Sequence, residues 1–278
     1  MSNSFRAACI QTNTGDDVAA NLAAAADLVR RARDDGADFI ALPETVNVMD
    51  SSRDALKSKV GPERDNPALN GFQDLARETG AWILVGSLIV KDDGAEKMSN
   101  RSFLIDGDGG VRARYDKVHM FDVNLGGAEN HRESNHYEAG ARAVLATTPW
   151  CQLGMTICYD LRFAYMYRTL AQAGAAVITI PAAFTRISGQ AHWHVLQRAR
   201  AIETGCFVIA PAQCGDHPGK RQTYGHSLIV DPWGNVLGDG GEAPGFIAAD
   251  IDLALVDEAR RKIPALSHDR EAELFKQS

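Results

Sequence analysis

The sequence contains no apolar run approaching the roughly 18 residues that a membrane-spanning helix needs. Its first residues, Met1 to Arg6, lack a basic segment followed by an apolar stretch. Both absences argue against membrane insertion and secretion, so the expected location is the cytoplasm. Lysine and arginine nowhere cluster into a stripe that could track phosphates, and 29 basic against 36 acidic residues leave a net charge of -7. Nucleic acid is therefore not an expected partner. No C-x-x-C pair and no cysteine-histidine cluster with zinc spacing occurs, which leaves thioredoxin-type exchange and structural zinc without support. Five cysteines are an odd number in a long chain, unlike the dense frameworks of secreted modules, and are read as reduced thiols. Repeats, low-complexity tracts and linkers are missing as well, so residues 1–278 are read as one domain.

What is present suffices for a full core: hydrophobic residues make up 45% and charged residues 23%, which excludes disorder of the whole chain. Phe5 to Gln11 has strand character, and Val18, Leu22, Ala25, Val29 and Ala32 recur at helical spacing until Gly36. The continuous apolar run Ala37 to Leu42 predicts a strand buried on both faces that delivers Pro43 and Glu44 to its carboxyl end. A helix near Leu69 to Glu78 and strands at Trp82 to Val90 and Ser102 to Ile105 follow. Gly107 to Gly110 then turn the chain into a partner strand, Val111 to Lys117. Residues 118–142 are polar and glycine-rich, too long for a mere connector, and read as a functional loop. Beyond it the pattern predicts a strand at Leu153 to Cys158, a helix over Leu161 to Ala173 and a strand at Ala176 to Ile180. A helix over Gln190 to Glu203 leads to strands at Phe207 to Ala212, His226 to Val230 and Phe246 to Ile251, with a hairpin turn at Asp231 to Gly234. Alternating βαβ units mixed with hairpins are best housed in an α-β-β-α sandwich, two face-to-face sheets covered by helices.

Three reactive side chains fall where predicted strands end: Glu44, Lys117 and Cys158. A cysteine in an apolar strand is most often an inert small hydrophobe. Here Tyr159, Asp160 and Arg162 follow at once and predict a polar elbow that exposes the thiol beside a helix start and lowers its pKa. Cys9, Cys151, Cys206 and Cys214 have no such setting and read as filler. A partly desolvated Glu44 would be basic enough to take the thiol proton. The Lys117 ammonium and the Tyr159 backbone N–H could then hold the oxyanion formed when a thiolate attacks an amide.

These residues resemble the nitrilase-like carbon-nitrogen hydrolases. The likeness rests on Leu42-Pro43-Glu44, on the lysine segment Tyr115 to Asp122, and on Ile157-Cys158-Tyr159-Asp160-Leu161-Arg162-Phe163. It implies the four-layer sandwich, pairing into a homodimer, and a Glu-Lys-Cys triad that needs no metal or organic cofactor. It also implies a second glutamate, which maps onto Glu133 in Arg132-Glu133-Ser134-Asn135 and would position Lys117 and the substrate amide. Later segments, among them Gln190 to Trp193, Arg198 to Thr204, Ala212 to Gly215 and Tyr224 to Ser227, resemble the branch of deaminated-glutathione amidases and ω-amidases, which release ammonia from a terminal carboxamide. The expected partner is thus a small amide substrate. The residues expected around it, besides the triad and Glu133, are Tyr159, Arg162, Phe184, Arg186, His192 and Trp193, with Arg162 and Arg186 as candidates for a substrate carboxylate. The His192-x-His194 pair reads as structural, since no carboxylate or third histidine adjoins it. Where similar proteins continue Arg-Phe-Pro-Glu, this chain has Arg162-Phe163-Ala164-Tyr165, so a possible acidic partner near the elbow is lost.

Two other readings compete: N-carbamoyl amino acid hydrolysis with the same triad, and a non-catalytic binding or scaffold protein on the same sandwich. Gly238 to Ala243 loosely fits the dinucleotide fingerprint G-x-G-x-x-A, but Pro244 and Gly245 follow where a helix should start, so a hairpin turn is expected there.

Overall fold

The computed structural model describes residues 3–124 and 130–276. The chain opens with β1 (Ser4–Gln11), α1 (Val18–Asp34), β2 (Phe39–Ala41), α2 (Arg53–Lys59), α3 (Pro67–Thr79), β3 (Trp82–Val90), β4 (Ser99–Ile105) and β5 (Val111–Asp116). A small ribbon, β6 (Asp122–Asn124) and β7 (Asn130–Arg132), and a short 3-10 turn, Glu133–Asn135, then lead to β8 (Val144–Thr147) and β9 (Gln152–Met155). The second half holds α4 (Ala164–Gln172), β10 (Val177–Thr179), α5 (Arg186–Thr204), β11 (Phe207–Ala210), β12 (Cys214–His217), β13 (Arg221–Tyr224), β14 (Leu228–Val230), β15 (Val236–Asp239), β16 (Gly245–Asp252) and α6 (Ala254–Lys262).

Two six-stranded sheets result, ordered β16-β1-β2-β3-β4-β5 and β15-β14-β11-β10-β9-β8. In each, three central strands run parallel and the outer ones are antiparallel. Strand alternation decides which residues meet. Ala7, Cys9, Phe39 and Leu84 face across to Met155, Val177 and Phe207 between the sheets, while Ala8, Ile10, Ile40 and Ile83 face Val29, Leu69 and Phe72 of α1 and α3. Helices α4 and α5 cover the second sheet. The α-β-β-α sandwich read from the sequence is the fold observed.

Two glycines set close approaches that position the site. A Cβ on Gly86 would lie 1.9 Å from the Leu42 carbonyl and 2.6 Å from that of Pro43, so only glycine lets β3 pass the segment that carries Glu44. A Cβ on Gly189 would meet Tyr224 at 2.3 Å. That contact explains why α5 starts at Arg186, four residues before the patterned start: a glycine in the first turn reads as a break, but here it makes room for β13.

Other boundaries moved for local reasons. The Leu153 strand ends at Met155, and the single helix expected over Leu161 to Ala173 divides into a 3-10 turn, Cys158–Arg162, and α4, because Phe163 leaves helical geometry at φ -108, ψ 80. The functional-loop segment contains β6, β7 and the Glu133 turn, while residues 125–129 of it lie outside the described residues. Gly238 to Ala243 is not a hairpin turn: it carries the chain from β15 in the second sheet to β16 in the first. No helix among the described residues is long and apolar enough to cross a membrane.

Candidate active site

Glu44, Lys117 and Cys158 arrive from three elements and line one cleft of about 220 Å³. Glu44 follows β2, where Ser87 Oγ accepts the Thr45 N–H at 2.8 Å and Leu42 N–H donates to Leu84 O at 2.8 Å. Lys117 follows β5, its N–H donating to Asn100 O at 3.0 Å. Cys158 opens its 3-10 turn in the left-handed region, φ 48, with its N–H on Pro181 O at 2.9 Å. Left-handed geometry at a non-glycine residue carries strain and clusters at functional sites. Thr45, next to Glu44, sits at φ 52.

The charged heads are buried, with 3% of Glu44, 2% of Lys117 and 6% of Cys158 exposed. Lys117 Nζ donates to Glu44 Oε1 at 2.9 Å and to Glu133 Oε1 and Oε2 at 3.1 and 3.0 Å. Asn100 Nδ2 donates to Glu44 Oε1 at 2.8 Å, Ala183 N–H to Glu44 Oε2 at 2.8 Å, and Phe121 N–H to Glu133 Oε2 at 2.6 Å. The Cys158 thiol lines the same cleft, close enough to the Glu44 carboxylate to feel its charge.

The electrostatics reverse two expectations from the sequence, a lowered thiol pKa and a Glu44 made more basic by desolvation. Burial and then the Glu44 charge push the Cys158 thiol well above its ordinary value, and Lys117 offsets this only in part. Burial would raise Glu44 too, but Lys117, Arg221 and the nearby thiol outweigh it and hold the carboxyl below its usual range. Burial alone would discharge Lys117, yet Glu133 and Glu44 keep its pKa well above normal. The resting site is therefore a neutral thiol beside a carboxylate and an ammonium, without the lowered thiol pKa expected of a helix start. Such a triad can move the thiol proton onto Glu44 as sulfur attacks, with the Lys117 ammonium beside it.

Asp160 fixes this arrangement. Fully buried, its Oδ2 accepts the Ile157 N–H at 2.8 Å and the Tyr115 hydroxyl at 2.6 Å, and its Oδ1 accepts the His119 N–H at 3.1 Å and contacts His119 Nδ1 at 2.7 Å. One carboxylate thereby ties the cysteine turn to residues on both sides of Lys117. The departure at Ala164-Tyr165 is accommodated here, since Tyr165 Oη lies 2.7 Å from His119 Nε2. With Nδ1–H on Asp160, that nitrogen accepts the tyrosine hydroxyl.

The remaining expected residues separate. Tyr159 and Phe184 line the cleft with Glu133. Arg162 lies behind them, its guanidinium 5.8 and 5.2 Å from the Tyr159 and Phe184 ring centres and 3.3 Å from His192 Nδ1, and neither Arg162 nor His192 is in the lining. Arg186, in the first turn of α5, is also absent from it, because the helix turns Thr185 and Ser188 inward instead. Trp193 is buried against Phe184 at 5.1 Å and donates its Nε1–H to His226 O at 2.7 Å, a core position. The lining cations that sequence reasoning missed are Arg132 and Arg221. Arg221 Nη2 donates to Ala183 O at 3.0 Å, while its buried Nε has no partner among the described residues. Asn100 was missed too, because Ser99, Arg101 and Ser102 around it give the start of β4 no apolar signal.

A raised thiol pKa makes the site testable by stability. The folded thiol keeps its proton above the ordinary value of 9.0, where the unfolded thiol loses it, so its stabilising contribution is complete below that pH and declines above it. The other four thiols are raised likewise. Cys158→Ala should reduce the alkaline slope of unfolding free energy by about one proton, roughly 1.4 kcal/mol per pH unit, in denaturant titrations between about pH 9.5 and 10.5. An unchanged slope would contradict the buried neutral thiol.

Comparison with known proteins agrees with this geometry. Residues 6–261 match the carbon-nitrogen hydrolase family model. The chain is 35% identical to a deaminated glutathione amidase of Yersinia enterocolitica, over 95% of this chain and 92% of the relative. It is 39% identical to the Homo sapiens deaminated glutathione amidase, over 95% of this chain and 81% of the relative. Its backbone superposes on the crystal structure of the Caenorhabditis elegans NitFhit protein with a TM-score of 0.89 and 36% identity, covering 96% of this chain and 65% of that one. The chain belongs to the carbon-nitrogen hydrolase family, as a hydrolase of carbon-nitrogen bonds other than peptide bonds.

Proposed function

We propose that this protein is a cysteine-dependent amidase that hydrolyses the terminal carboxamide of a small carboxylate-bearing substrate, deaminated glutathione or the ω-amide of a 2-oxo acid. The observation that carries the reading is the Lys117 ammonium bonded to Glu44 in the cleft that the Cys158 thiol also lines. Relatives named for deaminated glutathione favour that acyl group.

Cys158 Sγ adds to the carboxamide carbon as its proton passes to Glu44 Oε, and Lys117 with the Tyr159 N–H holds the oxyanion. Glu44 returns the proton to the departing nitrogen, the C–N bond breaks, and ammonia leaves a thioester. Glu44 then takes a proton from water, the hydroxide adds to the thioester carbon, and collapse releases the carboxylic acid and the protonated thiol. Glu133, doubly bonded to Lys117, keeps the ammonium aimed while carrying no proton in this scheme. Cys158→Ala should abolish ammonia release while circular dichroism stays unchanged, and undiminished turnover would refute the assignment. A panel of deaminated glutathione, α-ketoglutaramate, N-carbamoyl amino acids and simple nitriles, read for ammonia and carbon dioxide, would fix the acyl group. Carbon dioxide release from a preferred carbamoyl substrate would replace this reading with the carbamoyl one.

Arg221 is the group we assign to the substrate carboxylate, in place of Arg162 and Arg186, because it lines the cleft with an unpartnered donor. Arg221→Gln should raise KM for a carboxylate-bearing amide about 10-fold to 100-fold, the worth of one charged hydrogen bond, and leave a neutral amide nearly unchanged. Equal losses on both substrates would remove Arg221 from this role.

The chain acts, in our reading, as one unit that pairs into a homodimer. Ile187, Val195 and Ile202 stand exposed along one face of α5, opposite the buried Trp193, Gln197 and Ala201, and the patch continues to the turn at Gly234, where a Cβ would touch Ile202. Light scattering should give twice the 30.1 kDa chain mass, and Val195→Glu should halve it. A wild-type monomer would end the dimer proposal. Five free cysteines support a reducing, cytoplasmic setting, which cell fractionation would check.

A further inference from the structure

The His-x-His pair is divided by the fold. His192 faces Arg162, whereas His194 turns toward β13 to β15, where His226 and Asp239 meet it. His194 Nε2 lies 3.0 Å from Asp239 Oδ2, and His226 Nδ1 lies 2.8 Å from Asp239 Oδ1. One ligand atom of each residue lies within 4.8 Å of the others, with the imidazole rings 5.1 Å apart at 68°. None of the three lines the amide cleft. We propose that His194, His226 and Asp239 form a binding site for a divalent first-row transition ion of the zinc class, separate from the catalytic machinery.

Two imidazoles and one carboxylate are a ligand set that such ions favour over calcium or magnesium. Metal-ligand bonds of about 2.1 Å place neighbouring donors about 3.0 Å apart in an octahedral shell and about 3.4 Å apart in a tetrahedral one. Each nitrogen already lies near that range from its own carboxylate oxygen, His194 Nε2 from Oδ2 and His226 Nδ1 from Oδ1. With an ion bound, each imidazole carries its hydrogen on the far nitrogen, Nδ1 of His194 and Nε2 of His226, and presents the near one as a lone pair.

The donors are also held in place. His226 occupies the left-handed region, φ 54, with its N–H on Gly241 O at 2.6 Å and its carbonyl accepting Trp193 Nε1–H at 2.7 Å. The Tyr224 ring stacks on the His226 ring at 4.4 Å and 27°, and stands edge-on to His194 at 5.9 Å. Asp239 Oδ1 accepts the Gly241 N–H at 2.9 Å. Strain at one ligand, with backbone and ring supports around it, is how second-shell groups orient a metal site. The three ligands come from α5, from the segment before β14 and from the end of β15, so an ion would fasten α5 to the strands beneath it.

Untagged full-length protein stripped with chelator, both wild type and Cys158→Ala, is titrated with Zn2+ by calorimetry and with Co2+ by visible absorption. Both proteins should bind one Zn2+ per chain with equal affinity, and Co2+ should give a ligand-field band without thiolate charge transfer. Asp239→Asn, nearly isosteric, and His194→Gln, on a partly exposed helix position, should each weaken binding at least about tenfold while the metal-free melting temperature stays close to wild type. Absence of saturable binding overturns the proposal. So does binding that survives Asp239→Asn undiminished, or binding that disappears in Cys158→Ala.

Discussion

A buried ammonium shared by two carboxylates is the constraint on which the rest of this structure depends. Lys117 is almost fully enclosed, and an unpaired charge at that depth would be expelled or neutralised. Glu44 and Glu133 keep it charged, and in turn it keeps Glu44 ionised despite burial. Removing one partner of such a pair costs about 3–5 kcal/mol. Three chain segments far apart in sequence are thereby committed to one small volume. Burial, and after it the Glu44 charge, keeps the proton on the thiol beside this pair.

Asp160 performs the complementary task with backbone and hydroxyl groups. It accepts from Ile157, Tyr115 and His119, so the turn that carries the nucleophile and the strand that carries the ammonium share one anchor. The His119 ring stacks on Phe163 at 3.6 Å and reaches Tyr165, which extends this anchor into α4. A tyrosine hydroxyl in place of the acid found in similar proteins leaves the chain of hydrogen bonds complete.

The sandwich was legible because apolar runs and helical spacing are properties of neighbours in sequence. Glu44, Lys117 and Cys158 could be located by the same logic, since strand ends are local features. The polar ribbon β12 and β13 was not legible: Cys214 to His217 and Arg221 to Tyr224 lack apolar alternation, and they form because both strands are pinned to other elements, as by Asn13 Nδ2 on Cys214 O. Arg221 sits on that ribbon, so the cation of the cleft was hidden with it. Arg162, Arg186, His192 and Trp193 were expected around the substrate from the resemblance and their charge, and helical geometry turns them to other faces. The Cys158 pKa was misjudged for a similar reason. An elbow suggests an exposed helix start, but the turn is a short 3-10 segment sealed by Phe184, Tyr159 and the two sheets.

The protonated resting thiol has a chemical dividend beyond turnover. Oxidants and stray electrophiles attack thiolates far faster than thiols. A sulfur that keeps its proton at rest presents little thiolate to peroxide or to disulfides, so its oxidation between turnovers is slowed.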